Sequence, residues 1–162
     1  MKKRDEAEIV ELITVIVRDC RNWHRLGYRH AVTSRVLREL IFHEWETRNA
    51  SKPKAAKYRS KAAAPILRAH RWLKLTGLIY DHAIPVNYHH TELLNLAEVT
   101  PETVRAVLLG KHGPVAGIIT IGENFKLTSE GLAHRMPDDW DGADPLARYK
   151  FVGIEMEENI FD

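Results

Sequence analysis

The sequence lacks several patterns that would assign a function directly. Its single cysteine, Cys20, excludes an internal disulfide, and no Cys-x-x-Cys pair indicates a structural zinc site. It contains no Walker loop, no Rossmann glycine pattern and no serine-nucleophile elbow. No apolar run approaches the roughly 20 residues of a membrane span, and the basic first residues lead into an acidic, amphipathic stretch instead of a secretory segment. We therefore predict a cytoplasmic protein with no membrane partner.

Acidic residues are scarce in the first half of the chain and basic residues in the second. Residues 1–80 hold 18 Lys+Arg and 8 Asp+Glu, a balance of +10, whereas residues 81–162 hold 6 and 14, a balance of −8. This asymmetry indicates a basic face for a polyanion, DNA or RNA. The acidic half could also meet a basic protein partner. The alternative is that the two halves pack together and neutralise each other, and no pattern predicts the oligomeric state.

The length and the apolar periodicity predict the fold class. A chain of 162 residues suffices for one domain, and helical spacing predicts helices over 5–24, 34–48, 61–74, 87–96 and 101–109. Thr33 or Ser34 is the expected cap of the second helix. We predict a predominantly helical α+β domain in three segments: a basic helical region (1–76), a ββα-like region with a helical insertion (77–154), and an acidic tail expected to be disordered (155–162).

The segment 49–61 is rich in lysine and poor in bulky apolar residues, so we predict an exposed loop. Its basic side chains could contact phosphates, and its tyrosine could stack on a base. The alternative is a solvated linker without a ligand. The predicted nucleic-acid contacts, including two arginines of the next helix, are Lys52, Lys54, Lys57, Tyr58, Arg59, Lys61, Arg68 and Arg71.

Two short apolar runs form the centre of the chain. Residues 77–86 predict a strand that ends in Asp81-His82-Ala83-Ile84-Pro85, and residues 115–120 predict a second strand. Thr120 and Glu123 have the spacing of a capping box, so a helix should begin there. The expected core is a small two-stranded antiparallel sheet followed by a helix.

A strand that ends in Asp-His-x-Ile-Pro, followed by a second strand and a helix, resembles the His-Me finger, or HNH, endonucleases. The resemblance implies that His82 is the general base that activates water and that Asp81 ligates a metal. Glu123 or Asn124 would supply the helix ligand, with His134 as a further choice. Carboxylate and amide oxygens suit Mg²⁺ or Mn²⁺, and the activity implied is metal-dependent hydrolysis of DNA phosphodiester bonds.

Two other interpretations of these residues stay open. The chain could be a non-catalytic DNA-binding or regulatory relative that keeps the core without the activity. Alternatively, Asp81 could accept a hydrogen bond from a backbone amide while His82 packs beside Tyr80. The pair His89-His90 is predicted to lie at the surface, because neighbouring side chains on a helix point about 100° apart and do not easily share one ion.

Overall fold

The computed structural model describes residues 5–71 and 74–161 and divides the chain into two compact units. Unit 1 comprises Met1–Arg48 and Val86–Gly113, and unit 2 comprises Asn49–Pro85 and Pro114–Asp162. The units therefore alternate along the chain, and neither follows the predicted boundary at residue 76. No helix among the described residues has the length and apolar character needed to cross a membrane.

This alternation removes the charge asymmetry seen along the sequence. Unit 1 contains 12 Lys+Arg and 11 Asp+Glu, and unit 2 contains the same numbers, so 12 − 11 gives +1 for each. Each unit takes one segment from the basic half and one from the acidic half. Each unit therefore combines residues from both halves of the sequence.

Unit 1 is built from helices packed around an apolar core. Helix α1 begins at a reciprocal cap, in which Asp5 accepts from the Glu8 amide at 2.8 Å and Glu8 accepts from the Asp5 amide at 3.0 Å. The helix ends before Gly27, whose φ of 83° favours glycine. The helices of unit 1 are α1 (Glu6–Arg25), α2 (His30–Leu40) with a π-helical continuation (Ile41–Glu46), α5 (Asn87–Asn95) and α6 (Pro101–Leu108).

The second helix begins earlier than its cap signals predicted. It begins at His30, and Thr33 lies inside it, fully buried. The Thr33 hydroxyl lies 2.6 Å from His24 Nε2 on α1, so it joins two helices instead of capping one. The predicted cap at Thr33 or Ser34 was therefore wrong.

The prediction for His89 and His90 was also wrong, because both side chains are fully buried. Helix α5 contacts α1, α2 and α6, so two adjacent positions on it are covered. The two rings lie edge to face at 4.7 Å between centroids, and His90 Nδ1 lies 3.2 Å from the Ser34 hydroxyl. They form part of the interior of unit 1.

Unit 2 contains a four-stranded mixed sheet in the order β2 (Leu78–His82), β3 (Ala116–Thr120), β1 (Tyr58–Ser60) and β4 (Met156–Glu158). Strands β2 and β3 are antiparallel, β3 and β1 are parallel, and β1 and β4 are antiparallel. The α+β class is confirmed, but the predicted two-stranded sheet was too small. Its elements are α3 (Lys52–Ala55), β1 (Tyr58–Ser60), α4 (Ala64–Ala69), β2 (Leu78–His82), β3 (Ala116–Thr120), α7 (Ile121–Ser129), α8 (Ala147–Phe151) and β4 (Met156–Glu158).

Both additional strands come from segments predicted to be irregular. Strand β1 lies in the predicted loop 49–61, and β4 lies in the predicted disordered tail. The tail is fixed by Asn159, which is buried and donates to the carbonyls of Pro53 and Ala56 at 2.8 and 2.9 Å. Two segments that lie 103 to 106 residues apart in the sequence thus stabilise each other, and neither segment predicts this contact by itself.

Helices cover both faces of the sheet. Leu67 of α4 packs with Leu78 and Ile118 in one apolar cluster, whereas Leu127 of α7 and Tyr149 of α8 pack with others around Ile119 in a second cluster. Helix α4 begins at Ala64, so Pro65 lies in its first turn, where proline is tolerated. Part of the predicted helix 61–74, namely Trp72 and Leu73, lies outside the described residues.

Candidate functional site

Asp81 lies near the end of β2 and pairs in register with Gly117 of β3. A Cβ added at Gly117 would lie 2.8 Å from Met156 Cε and 3.2 Å from the Tyr149 hydroxyl oxygen. Glycine at this position therefore leaves room for the phenol, which donates a hydrogen bond of 2.7 Å to Asp81 Oδ2. The predicted metal ligand is thus held by a residue of α8.

Arg148 binds the same Asp81 carboxylate from the interior of unit 2. Its side chain is 1% exposed, and its guanidinium pairs with Asp81 Oδ2. It also donates to the carbonyls of His82 at 2.5 Å, Ala83 at 3.0 Å and Leu132 at 2.7 Å. Arg148 therefore fixes the end of β2 and the segment after α7, and its charge is compensated by Asp81.

The phenol of Tyr149 is held in its neutral form. Burial, with the Asp81 carboxylate beside it, raises the pKa of Tyr149 well above its ordinary value, although Arg148 opposes this effect. The hydroxyl therefore keeps its proton at neutral pH and remains a donor to Asp81. Asp81 consequently receives both a charged and a neutral donor.

His82 is half-buried and packs beside Tyr80. The two ring centroids are 5.7 Å apart, with the planes at 84°. Because side chains alternate along a strand, His82 points to the sheet face opposite to that of Asp81. The predicted packing against Tyr80 is observed, but the donor to Asp81 is a side chain and not the expected backbone amide.

Glu123 caps its own helix, as its spacing from Thr120 predicted. Its Oε2 atom accepts from the Thr120 amide at 2.8 Å and from the Thr120 hydroxyl at 3.0 Å. The buried hydroxyl of Ser60 on β1 donates to the same oxygen at 2.7 Å. Next to it, Asn124 is half-buried, and its backbone carbonyl accepts from the Thr128 hydroxyl at 3.0 Å. His134 is exposed.

The Asp81 and Glu123 carboxylates are anchored at separate points of the sheet. Thr120, which anchors the Glu123 carboxylate, pairs with Leu78, three residues before Asp81. At about 3.4 Å per residue, the two sites are about 10 Å apart along the strand. Two oxygens that ligate one Mg²⁺ lie at most about 4 Å apart. Among the described residues, no group of three or more His, Cys, Asp or Glu side chains could hold a metal ion.

Two of the predicted nucleic-acid contacts are engaged inside unit 2. Arg59 is 5% exposed and binds Glu157 at 2.6 Å and the Ile160 carbonyl at 2.8 Å, so its placement in an exposed loop was wrong. Lys61 is exposed but pairs with Glu155 at 2.5 Å. That hydrogen bond raises the pKa of Lys61 and lowers the pKa of Glu155, so both groups are charged at neutral pH.

Two other lysines lie against aromatic rings. Lys54 Nζ is 5.9 Å from the ring centroid of Phe161, and Lys57 Nζ is 5.3 Å from that of Tyr58. Both lysines are exposed. We call these four residues the lysine–aromatic surface. The remaining predicted contacts, which are also exposed, are Lys52, Arg68 and Arg71.

Sequence reasoning missed Arg148 and Phe161. Arg148 is one of only six basic residues in the acidic second half and stands in the apolar setting of Leu146 and Tyr149. That isolation signals a buried cation, although it does not identify Asp81 as its partner. Phe161 was assigned to the predicted disordered tail, where an aromatic residue is itself a sign of order.

Comparison of the chain with protein-family models, with curated proteins and with solved structures found no match. The resemblance to the His-Me finger endonucleases therefore still depends on the short motif at Asp81 and His82 and stays a prediction.

Proposed function

We propose that this protein binds nucleic acid, DNA or RNA, without cleaving it, and that the lysine–aromatic surface contacts the strand. The observation that supports the proposal most directly is the pairing of Lys54 with Phe161 and of Lys57 with Tyr58. In both pairs an exposed ammonium group lies over a ring. Neither ammonium group forms an ion pair with a carboxylate in the part of the chain that the structure describes.

This arrangement suits an unpaired strand. Lysine neutralises phosphate and releases counterions, whereas an aromatic face stacks on any base, so the two together bind a strand with little sequence preference. Tyr58 lies on β1, which the neighbouring strands hold in place. A fixed ring loses little conformational freedom on binding.

The non-catalytic part of the proposal follows from the two carboxylates. The Asp81 carboxylate binds Arg148 and Tyr149, and the Glu123 carboxylate caps α7 and binds Ser60. Hydrolysis with His82 as base would use a metal held by both groups, but Asp81 lies about 10 Å along the strand from the position that pairs with Thr120, the anchor of the Glu123 carboxylate. We therefore assign them to the stability of unit 2.

Fluorescence anisotropy with labelled single-stranded DNA, duplex DNA and RNA tests the binding. The double variant Lys54→Ala/Lys57→Ala should weaken binding. Its salt dependence, the slope of log K against log salt, should fall by about 1.4 for single strands and about 1.8 for duplex. The matched control is Lys74→Ala/Lys126→Ala, which removes two exposed lysines elsewhere in unit 2. Equal losses in both variants, or binding that ignores salt, would overturn the assignment.

Incubation with plasmid DNA and Mg²⁺ or Mn²⁺ tests the absence of cleavage. We expect intact plasmid with the wild type and with His82→Ala. Cleavage by the wild type that disappears in His82→Ala would refute the non-catalytic assignment and establish His82 as the base. Cleavage that survives the substitution would assign the activity to other residues and would equally refute the non-catalytic assignment.

A further inference from the structure

Unit 1 carries a second basic surface that the sequence motifs did not indicate. Arg18, Arg21 and Arg25 follow one another at spacings of three and four residues on α1, so they share one face of the helix. At 1.5 Å per residue they span about 10 Å. Arg21 and Arg25 line two adjoining grooves of ≈ 450 and ≈ 380 Å³ beside α5 and the loop after it, and Arg18 lines the smaller one.

Backbone carbonyls hold two of these side chains in place. Arg18 donates through Nε and Nη2 to the Val99 carbonyl at 3.0 and 2.7 Å, and Arg21 donates through Nη1 to the Leu96 carbonyl at 2.8 Å. Arg25 donates to the side chain of Asn22. A guanidinium has five N–H groups, so each retains donors for a ligand.

The three charges are not neutralised within the described residues. The hydrogen bonds that the structure gives these arginines go to carbonyl or amide oxygens, and none goes to a carboxylate. The adjacent acid, Asp19, follows Arg18 directly and therefore points about 100° away around the helix. A row of oriented cations without counter-charges favours a ligand that brings several negative charges.

We propose that Arg18, Arg21 and Arg25 form a phosphate-binding surface for the backbone of a nucleic acid. Guanidinium groups bind phosphate oxygens through paired N–H donors, and their fork geometry suits phosphate better than an ammonium group does. Phosphates along one strand recur at about 3.4 Å of helical rise, so a row of about 10 Å covers about three of these intervals, one for each arginine. The inference depends on the proposed function and assigns it a second surface, on the helical unit.

The test uses the same anisotropy assay with the full chain. Arg25→Ala should lower the salt slope by about 0.7 to 0.9, so the affinity that it loses at 0.1 M salt should exceed the affinity that it loses at 1 M by about five- to eightfold. Arg18→Gln/Arg21→Gln keeps N–H donors for the two carbonyls but removes two charges, and the triple variant should lose a slope of about 2 to 3. Arg35→Ala is the matched control, because Arg35 is an exposed arginine of α2 in the same unit.

Circular dichroism and thermal unfolding establish that each variant folds. If the glutamine variants do not fold, Arg25→Ala alone decides the question, because the only hydrogen bond that its side chain makes to the described residues is to the exposed Asn22. If Arg25→Ala weakens nucleic-acid binding no more than Arg35→Ala does, or not at all, the proposal is overturned.

Two further comparisons show which of the two proposals fails and whether the arginine surface binds nucleic acid or free phosphate. If the wild type binds no oligonucleotide, both proposals fail; if only Lys54→Ala/Lys57→Ala weakens binding, the arginine surface alone is refuted. Calorimetry with inorganic phosphate is the second arm. Binding of inorganic phosphate that Arg25→Ala weakens, with oligonucleotide binding unchanged, would make the groove a small-anion site and overturn its assignment to nucleic acid.

Discussion

The two buried arginines of unit 2 and the arginine row on α1 of unit 1 have different environments. In unit 2, Arg59 and Arg148 are 5% and 1% exposed, and each binds a carboxylate. In unit 1, Arg18 is exposed and Arg21 is half-buried, and both donate to backbone carbonyls. A buried guanidinium requires an opposite charge because desolvation is costly, whereas a surface guanidinium needs only water or a carbonyl.

This difference teaches which cations remain for a ligand. The partner of Arg59 lies 98 residues away in the sequence, and the partner of Arg148 lies 67 residues away. The density of basic residues along a segment therefore does not measure the charge that the fold leaves at its surface. The two buried arginines of unit 2 serve its stability, whereas Arg18, Arg21 and Arg25 of unit 1 are the ones that we propose for binding.

The strongest test of this comparison removes the buried cation. Arg148→Met should lower the free energy of unfolding by about 3 to 5 kcal/mol, because Asp81 is left with an uncompensated charge. Urea unfolding followed by circular dichroism measures the effect. The control is Lys150→Ala, which removes an exposed cation of the same helix and should cost less than about 1 kcal/mol. Equal effects in the two variants would contradict the structural role of Arg148.

The second test addresses the interior of unit 1 through pH. Burial raises the pKa of the Cys20 thiol from 9.0 to about 11. The unfolded chain then loses this proton at lower pH than the folded chain, so the stabilisation is fully present below pH 9 and is lost as pH rises towards 11. The loss should reach about 3 kcal/mol above pH 11.

Urea unfolding at intervals between pH 8 and pH 11 measures this decline. Cys20→Ala should make it shallower, and the slope against pH is compared because the substitution itself lowers stability through a small cavity. Tyr149→Phe provides the corresponding control in unit 2, since the raised pKa of Tyr149 affects stability only above about pH 10. An unchanged slope in Cys20→Ala would show that the thiol does not titrate differently on folding.

Elements defined by local chemistry were predictable from the sequence. The capping residues Thr100 and Thr120 begin α6 and α7, and the apolar runs 77–86 and 115–120 contain β2 and β3. In each case the signal and the structure lie within a few residues of each other. The α+β class followed from these elements.

The predictions that failed concern residues whose structural partners lie far away in the sequence. Strand β1 consists of Tyr-Arg-Ser, which has no strand pattern by itself, and it becomes a central strand because β3 and β4 flank it. The same holds for the candidate site, since the motif predicted an acid and a histidine at the end of a strand. It contained nothing about Arg148, which engages that acid.

A third test addresses Glu123 as a cap. Glu123→Ala should lower the free energy of unfolding by about 1 to 2 kcal/mol, because the Thr120 amide and the Ser60 hydroxyl lose an acceptor. Glu130→Ala, at the exposed C-terminal end of α7, should leave stability nearly unchanged. If Mg²⁺ or Mn²⁺ raises the unfolding midpoint of the wild type but not of Glu123→Ala, the carboxylate is a ligand and the cap assignment is incomplete.

The smallest expected effect comes from Lys61, which is paired with a carboxylate, whereas, among the described residues, Lys54 and Lys57 are not. Glu155→Gln should release Lys61 for phosphate, raise the salt slope of nucleic-acid binding by at most about 0.9 and tighten binding by less than about tenfold. The unfolding midpoint should not change, because exposed ion pairs contribute little to stability. Glu130→Gln is the control for a general loss of negative charge. Unchanged affinity in both variants would mean that Lys61 does not contact the bound nucleic acid. The contact surface would then not extend along β1 beyond the lysine–aromatic surface.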